Sequence, residues 1–168
     1  MRMISLMIAM GVLFLLSPQS AQADWISGGG LGRCGEPCVV SFNYGGPVRP
    51  FLMAAKAIKA GAREQVVITS VCSSSCALFA DKVRPRVCIM PSAEFVFHKL
   101  YRDVERNGKT VRVWGKDPPH SKDIFRWVKA NGDFPKADDY AHMLHMEYRD
   151  ALKFFPRCTA AQLHSKKT

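Results

Sequence analysis

The chain has 168 residues, 48% of them hydrophobic, which is enough for one domain with a packed core. Its formal net charge is +10, from 24 Lys and Arg against 14 Asp and Glu. The basic residues are spread along the chain without a nucleic-acid-binding signature, so the charge favours an anionic surface or an acidic partner over DNA or RNA, or simply a solvated basic face.

The first 23 residues have the pattern of a secretory signal peptide. Arg2 gives a positive start, residues 4–16 form an apolar run, and a small-x-small tripeptide ends at Ala23. We expect cleavage after Ala23, so that residues 24–168 form an exported domain, periplasmic or secreted, and the loss of Arg2 lowers the net charge from +10 to +9. A membrane anchor is the alternative, but the apolar run is shorter than the roughly 20 residues that span a bilayer.

In chain order, we predict a loop at 24–37, a strand at 38–42, a turn at 43–47, a helix at 48–60, a strand at 65–70, a buried helix at 74–80, and strands at 87–90 and 94–98. Gly61 stands where a helix C-cap is expected. The alternation of strands and helices predicts a single α/β domain with a mainly parallel sheet flanked by helices.

The region after residue 98 has a different pattern. Residues 101–116 alternate charged and β-branched side chains around an Asn-Gly pair, which predicts a β-hairpin. A proline-containing turn follows at 117–121, and helices are predicted at 122–130 and 138–154.

Six cysteines remain after removal of the signal peptide: Cys34, Cys38, Cys72, Cys76, Cys88 and Cys158. An even number in an exported chain favours disulfides, which would brace the domain. The first two are four residues apart and could close a small loop. Cys72 and Cys76 could pair with each other or with the two later cysteines. A zinc site is less favoured because the CxxxC spacing lacks the tighter CxxC pattern of zinc knuckles.

Three short segments together suggest acyl-transfer chemistry. Gly45 and Gly46 follow one predicted strand, the serine run 73–75 follows the next, and His98 ends a later one. Each alone is more often structural, as a turn, a helix cap or a packed histidine. A nucleophilic serine needs a base within hydrogen-bond reach, and its oxyanion needs backbone N–H donors. Because the carboxyl ends of parallel strands meet at one edge of a sheet, we expect these segments to lie together.

Two longer segments carry a resemblance to a known superfamily. The segment FNYGGPVRPFLMAAKAI resembles the strand, glycine turn and helix of the ClpP/crotonase-like fold. The segment VCSSSCALFADKVRPRVCIMPSAEFVFHKL resembles the next block of that fold, in which a serine opens a helix and a histidine ends a strand. The CSSSC run is similar to exported bacterial proteins of this superfamily, which carry cysteine-x-serine-x-cysteine at the nucleophile. The resemblance covers roughly residues 38–100.

The resemblance implies a serine hydrolase or peptidase acting on a peptide or another acyl bond, without a metal or an organic cofactor. It places the nucleophile at Ser74 and the general base at His98. It places the oxyanion hole at the backbone N–H groups of Gly46, with Gly45, and of Ser75. The ring assembly and unfoldase docking of ClpP are not carried over, because the hairpin after His98 has no counterpart there.

Several alternatives stay open from the sequence. The neighbouring hydroxyls of Ser73 and Ser75 compete with Ser74 for the role of nucleophile, and a Cys76 thiol is a less favoured candidate. The third member of a catalytic triad is not identified, and four acids lie in the right part of the chain: Asp138, Asp139, Glu147 and Asp150.

Two further interpretations do not involve hydrolysis by a serine. The first is a catalytically inactive module that binds an envelope protein or an anionic surface through the basic hairpin, with Arg106, Lys109 and Arg112 as contributors. The second is a soft-metal site at His142 and His145, which we weigh below an ordinary apolar helical stripe because a thiolate or carboxylate partner at suitable spacing is lacking.

Overall fold

The computed structural model describes residues 37–61 and 65–163. The predicted signal peptide, most of the predicted glycine-rich loop and Cys34 lie outside the described residues. Among the described residues, no helix has the length and apolarity needed to cross a bilayer.

The described chain is mixed α/β. Its strands are β1 (Cys38–Val40), β2 (Val66–Ile68), β3 (Val71–Ser73), β4 (Val87–Ile89), β5 (Glu94–Phe97), β6 (Tyr101–Arg106), β7 (Lys109–Trp114) and β8 (Leu144–Met146). Its α-helices are α1 (Val48–Ala60), α2 (Ser75–Lys82), α3 (Lys122–Ala130), α4 (Tyr148–Ala151) and α5 (Ala160–Leu163). Two 3₁₀ turns, Arg84–Arg86 and Tyr140–His142, lie between them.

The strands form two small three-stranded sheets and one hairpin. The first sheet has the order β1-β2-β4, and all its pairs are parallel. The second has the order β3-β5-β8, in which β3 and β5 are parallel and β8 is antiparallel to β5. Strands β6 and β7 form the predicted hairpin. The α/β class is confirmed, but the expected single sheet is divided in two.

Helix α1 packs its apolar face on α2. Phe51, Ala54, Ala55 and Ile58 recur at helical spacing and are buried. Pro50 falls in the first turn, where its missing N–H costs no helical hydrogen bond. Burying a side chain as large as Phe51 contributes roughly 1.5–3 kcal/mol. This packing fixes the glycine turn, which directly precedes α1, against the start of α2.

The predicted helix at 138–154 is wrong. The structure has a 3₁₀ turn, strand β8 and the short helix α4 in its place. Methionine, leucine and glutamate there favour helix locally, but β8 pairs with the edge of β5 that would otherwise be open. Met146 lies opposite Phe95 and is fully buried, so tertiary packing outweighs helix propensity.

Disulfides brace the domain as expected. Cys72 is bonded to Cys76, four residues away, and Cys88 in β4 is bonded to Cys158, 70 residues away. Cys38 is also disulfide-bonded, and the described residues include no free cysteine. The hypothesis of a Cys76 nucleophile is therefore wrong, because its sulfur is oxidised. These disulfides indicate an oxidising environment outside the cytoplasm.

Candidate active site

Ser74 lies at a sharp turn between β3 and α2. Its backbone has φ 57° and ψ −121°, a conformation that non-glycine residues rarely adopt. Three constraints hold it there: its N–H donates to the Val96 carbonyl at 2.8 Å, its own carbonyl accepts from Leu78 N–H, and the Cys72–Cys76 disulfide spans it. Strained residues of this kind persist where the surroundings over-determine them, and they cluster at functional sites.

The parallel pairing of β3 with β5 brings His98 to Ser74. Ser73 lies opposite Val96 in register, and each strand ends within a residue of that pair. Ser74 is the first residue after β3, and His98 is the first residue after β5. The Nε2 atom of His98 lies 2.7 Å from the Oγ atom of Ser74, within hydrogen-bond distance.

A backbone carbonyl sets the tautomer of His98. The Nδ1 atom lies 2.7 Å from the carbonyl oxygen of Lys99. A carbonyl can only accept, so Nδ1 carries the proton. In the neutral imidazole, Nε2 then has the free lone pair and accepts the Ser74 O–H. This is the arrangement that a general base requires before it takes the proton of a serine.

The surroundings keep His98 neutral near neutral pH. Its side chain is largely buried, and the loss of solvation lowers its pKa below the ordinary value of 6.5. The Lys99 carbonyl and the charge of Asp138 oppose this shift, whereas the charge of Arg112 adds to it. The net direction is downward, so the imidazole is the free base over the physiological range.

The three hydroxyls of the serine run have different partners. The Ser73 Oγ lies 3.7 Å from the Met143 sulfur in a buried position. The Ser75 Oγ donates to the Gly46 carbonyl at 2.6 Å. Among the three serines, only Ser74 has a hydroxyl within hydrogen-bond distance of His98. The structure therefore distinguishes three neighbouring hydroxyls that residue type alone does not.

The two glycines of the turn also have different surroundings. Gly45 has φ +82°, and a Cβ placed on it would lie 2.7 Å from the Ser73 carbonyl oxygen and from the Ser74 Cβ. A side chain at this position would displace the serine turn. The Gly45 N–H donates to the Asn43 side-chain oxygen at 2.9 Å, so it is not available to an oxyanion.

Gly46 and Ser75 offer the two free donors beside Ser74. Within residues 37–61 and 65–163, neither the Gly46 N–H nor the Ser75 N–H has a hydrogen-bond acceptor. Ser75 is the first residue of α2, where N–H groups have no intrahelical partner and the helix dipole favours negative charge. The bond from Ser75 Oγ to the Gly46 carbonyl ties the two segments together.

None of the four candidate acids contacts the His98 imidazole. Asp138 pairs with Arg112, Asp139 with His142 at 2.5 Å, and Asp150 with Lys153 at 2.6 Å. Glu147 caps α4 through its backbone carbonyl. The partner of Nδ1 is instead the Lys99 backbone, which sequence reasoning missed because a carbonyl leaves no signal in residue identity.

Asp117 and Pro135 help to hold that carbonyl in place. The Lys99 N–H donates to the Pro135 carbonyl at 2.9 Å, and the Lys99 ammonium lies 3.3 Å from Asp117. Asp117 also pairs with Lys129 of α3 at 2.9 Å. Lys99 is thus anchored through both its backbone N–H and its side chain, next to the carbonyl that orients His98.

His142 and His145 do not form the helix-borne pair considered from sequence. His142 lies in the 3₁₀ turn and pairs with Asp139, and His145 lies in β8, 2.6 Å from Glu94. In the part of the chain that the structure describes, no three His, Cys, Asp or Glu side chains are grouped as metal ligands.

An open cleft of about 460 Å³ lies over Ser74 and His98. The glycine turn lines one side, and Tyr101 and Arg102 of β6 line another. This is the size range of pockets that hold small molecules or short peptide segments.

Two comparisons with known proteins found no relative, so the functional conclusion is based on the geometry of the site. No protein-family model matches the chain, and a search of curated proteins found no significant match. The resemblance to the ClpP/crotonase-like superfamily accordingly stays a prediction.

Proposed function

We propose that this chain is an exported serine hydrolase that cleaves a peptide or another acyl bond. The observation that carries the proposal is the 2.7 Å contact between the Ser74 hydroxyl and the unprotonated Nε2 of His98. Two free backbone N–H groups lie beside the same serine, as an acyl-transfer site requires. The ClpP/crotonase-like resemblance assigns the same residues to the same roles.

In the first half of the proposed reaction, the Ser74 Oγ attacks the substrate carbonyl carbon while its proton passes to His98 Nε2. The C=O π electrons move to the oxygen, and the N–H groups of Gly46 and Ser75 stabilise that oxyanion. Collapse of the tetrahedral intermediate breaks the bond to the leaving group, which takes the proton from His98. An acyl-enzyme on Ser74 remains.

In the second half, a water molecule attacks the acyl carbon and gives its proton to His98. The second oxyanion uses the same two N–H donors. When it collapses, Ser74 leaves with the proton from His98, and the free acid departs. Each step needs one base and two donors, and no metal or organic cofactor is part of the proposal.

We propose a Ser-His dyad rather than a triad. The Lys99 carbonyl fixes the tautomer and orientation of His98, which is half of what the acid of a triad does. It brings no full negative charge to stabilise the imidazolium. The charge of Asp138 raises the pKa of His98, but Arg112 opposes it. We expect a slower enzyme than one with a carboxylate on Nδ1.

The proposed location is the periplasm or the exterior of the cell, after signal-peptide cleavage near Ala23. The disulfides support an oxidising compartment. N-terminal sequencing of the exported protein tests this location, since it should start at Asp24.

The test of the proposed activity is covalent labelling. A fluorophosphonate probe should phosphonylate the mature, oxidised protein, and peptide mapping should place the adduct on Ser74. Ser74→Ala should abolish labelling. Ser73→Ala is the matched control, because the Ser73 hydroxyl contacts only the Met143 sulfur and should be dispensable for labelling. An adduct that persists in Ser74→Ala, or no adduct on folded wild-type protein, would overturn the proposal.

A second candidate function is binding without catalysis, through the exposed basic hairpin. Strands β6 and β7 form a separate sheet whose side chains are mostly exposed. Arg102, Arg106 and Lys109 have no ion pair among the described residues, whereas Arg112 is engaged by Asp103 at 2.9 Å. These three free cations are the ones that would contact an anionic envelope surface or an acidic envelope protein.

Binding to anionic vesicles discriminates this candidate. Charge-driven binding should weaken steeply as salt is added, and it should weaken when Arg102, Arg106 and Lys109 are replaced by glutamine. Labelling of Ser74 should be unaffected by the Arg106 and Lys109 substitutions, because these two residues do not line the cleft. Binding that ignores both salt and the substitutions would exclude the second candidate.

A further inference from the structure

A small, partly enclosed cavity lies beside Ser74 and adjoins the open cleft, with which it shares Ser74 and His98. Its volume is about 10 Å³, close to the space that one water molecule needs. Ser74 and His98 line it on one side, Leu78, Phe97 and Leu100 form apolar walls, and His120 lines it as well. A pocket that shares its wall with the nucleophile is placed to receive the group attached to the attacked carbonyl.

His120 is a buried histidine that the proposed reaction does not use. Its side chain is 1% exposed. The ring is stacked on Phe134 and meets Phe97 edge-on, with centroids 6.0 and 5.2 Å away. Its Nδ1 atom lies 3.2 Å from the Oδ2 atom of Asp81, near the end of the same helix that begins at Ser75. The ring is therefore locked in place.

The partner of Nδ1 determines what His120 offers to the cavity. Burial alone would raise the pKa of Asp81, but hydrogen bonds from His120, Ser121 and Arg84 hold it well below its usual range. An ionised carboxylate only accepts, so Nδ1 of His120 donates. In the neutral ring, Nε2 is then an acceptor, and it has no hydrogen-bond partner among the described residues.

We infer that this cavity is the specificity pocket of the proposed hydrolase, and that it selects serine on the residue whose carbonyl Ser74 attacks, with the serine hydroxyl taking the place of the one water molecule that the cavity has room for. The inference rests on the proposed function. The apolar walls and small volume exclude long or aromatic side chains, and the hydroxyl proton is donated to His120 Nε2. A substrate without that proton leaves a buried acceptor unpaired, which is the strongest basis for rejecting an analogue.

The test uses peptide aldehydes as reversible competitors of fluorophosphonate labelling on the mature protein. Serine and alanine at the aldehyde end form a matched pair, since they differ only in the hydroxyl. We expect the serine aldehyde to compete at least about tenfold more strongly than the alanine aldehyde, and leucine and phenylalanine aldehydes to compete least.

Two variants test whether the preference for a hydroxyl-bearing side chain arises in this pocket. In His120→Phe the ratio of serine to alanine competition should fall to about one, and a ratio within one variant is independent of changes in labelling rate. Leu78→Ala keeps His120 but enlarges the cavity, so it should admit the leucine aldehyde. If His120→Phe fails to fold, the wild-type ratio and the Leu78→Ala result still decide the matter.

The outcomes separate this inference from the proposed function. Without labelling of Ser74, the hydrolase proposal itself fails. With labelling, three results would overturn the pocket alone: alanine competing as well as serine, phenylalanine or leucine preferred by the wild type, or no competition by any member. A ratio that stays unchanged in His120→Phe would also overturn it, and would indicate that the cavity only holds water.

Discussion

Ser74 and His98 are positioned by backbone groups more than by other side chains. The Val96 carbonyl holds the serine N–H, and the Lys99 carbonyl holds the imidazole Nδ1. The order of strands predicted that the serine run and His98 lie together, because both directly follow strands predicted to be parallel, whereas the choice of Ser74 within the run came from the ClpP/crotonase-like resemblance. The orienting carbonyl could not be predicted, since every residue has one and only the fold selects which is used.

Gly45 is the residue at which a minimal change should be most informative. Gly45→Ala adds a Cβ at 2.7 Å from backbone and side-chain atoms of the serine turn, at a backbone φ of +82°. We expect a loss of roughly 2–3 kcal/mol in the free energy of unfolding, together with reduced labelling of Ser74. Denaturant unfolding and fluorophosphonate labelling measure the two effects.

The matched control is Gly108→Ala in the hairpin turn. Gly108 has φ +71°, but a Cβ there meets nothing within 4 Å. Gly108→Ala should lower the free energy of unfolding only by the backbone strain, about 1–2 kcal/mol, and should leave labelling of Ser74 intact. Equal effects of the two substitutions on labelling would show that the close approach of Gly45 to the serine turn is unimportant.

At the scale of elements, the sequence predicted the helices whose bounds depend on local apolar spacing and capping residues. Helix α1 begins and ends where its apolar spacing and Gly61 predict, and α3 matches its predicted bounds. Strand β8 was missed because its pairing with β5 is a long-range contact between segments about fifty residues apart. Strand β3 was not separated from its surroundings either, since three residues give no periodicity.

The Cys72–Cys76 and Cys88–Cys158 disulfides should contribute differently to stability and to the site. The Cys72–Cys76 bond closes a short loop, and its entropic contribution is about 2 kcal/mol, whereas the longer Cys88–Cys158 loop is worth about 4 kcal/mol. We expect Cys88→Ser/Cys158→Ser to lower the free energy of unfolding more. Cys72→Ser/Cys76→Ser should reduce Ser74 labelling more, because that bond spans the strained turn.

Denaturant unfolding and labelling of the two double variants in parallel check this division. The Cys88→Ser/Cys158→Ser variant serves as the control for Cys72→Ser/Cys76→Ser. If removing Cys88–Cys158 reduces labelling of folded protein as much as removing Cys72–Cys76, the shorter bond has no special role at the site.

At the scale of the whole molecule, a partly buried ionic network joins α2 to α3. Arg84 lies 2.5 Å from Asp81 and from Asp123, and Ser121 donates to Asp81 at 2.7 Å. The sequence shows these residues but not their association, because they come from separate segments. The network also holds His120 against the cavity beside Ser74, so stability and the proposed specificity share one cluster.

This network makes the fold sensitive to acid. Hydrogen bonds hold the pKa of Asp81 well below its ordinary value of 3.8 in the folded protein. The unfolded chain therefore takes up the proton first, and the stabilisation present above about pH 4 is lost as the pH falls below it. Denaturant unfolding at pH 7 and at pH 3 should show a loss of at least ~1 kcal/mol from this group.

Asp81→Asn should be less stable at pH 7 and should lose less between pH 7 and pH 3. Asp150→Asn is the control, because Asp150 is partly exposed and pairs only with Lys153. An Asp81→Asn variant with the same acid dependence as the wild type would contradict the role given to the network.

The central claim is that His98 acts as the base for Ser74, and the rate of fluorophosphonate labelling as a function of pH tests it most directly. Burial lowers the pKa of His98 below 6.5, so the wild-type rate should rise through one ionisation with its midpoint below that value and then stay level. His98→Ala should react about 10²–10⁴ times more slowly and lose this ionisation. An unchanged rate and pH profile in His98→Ala would contradict the account.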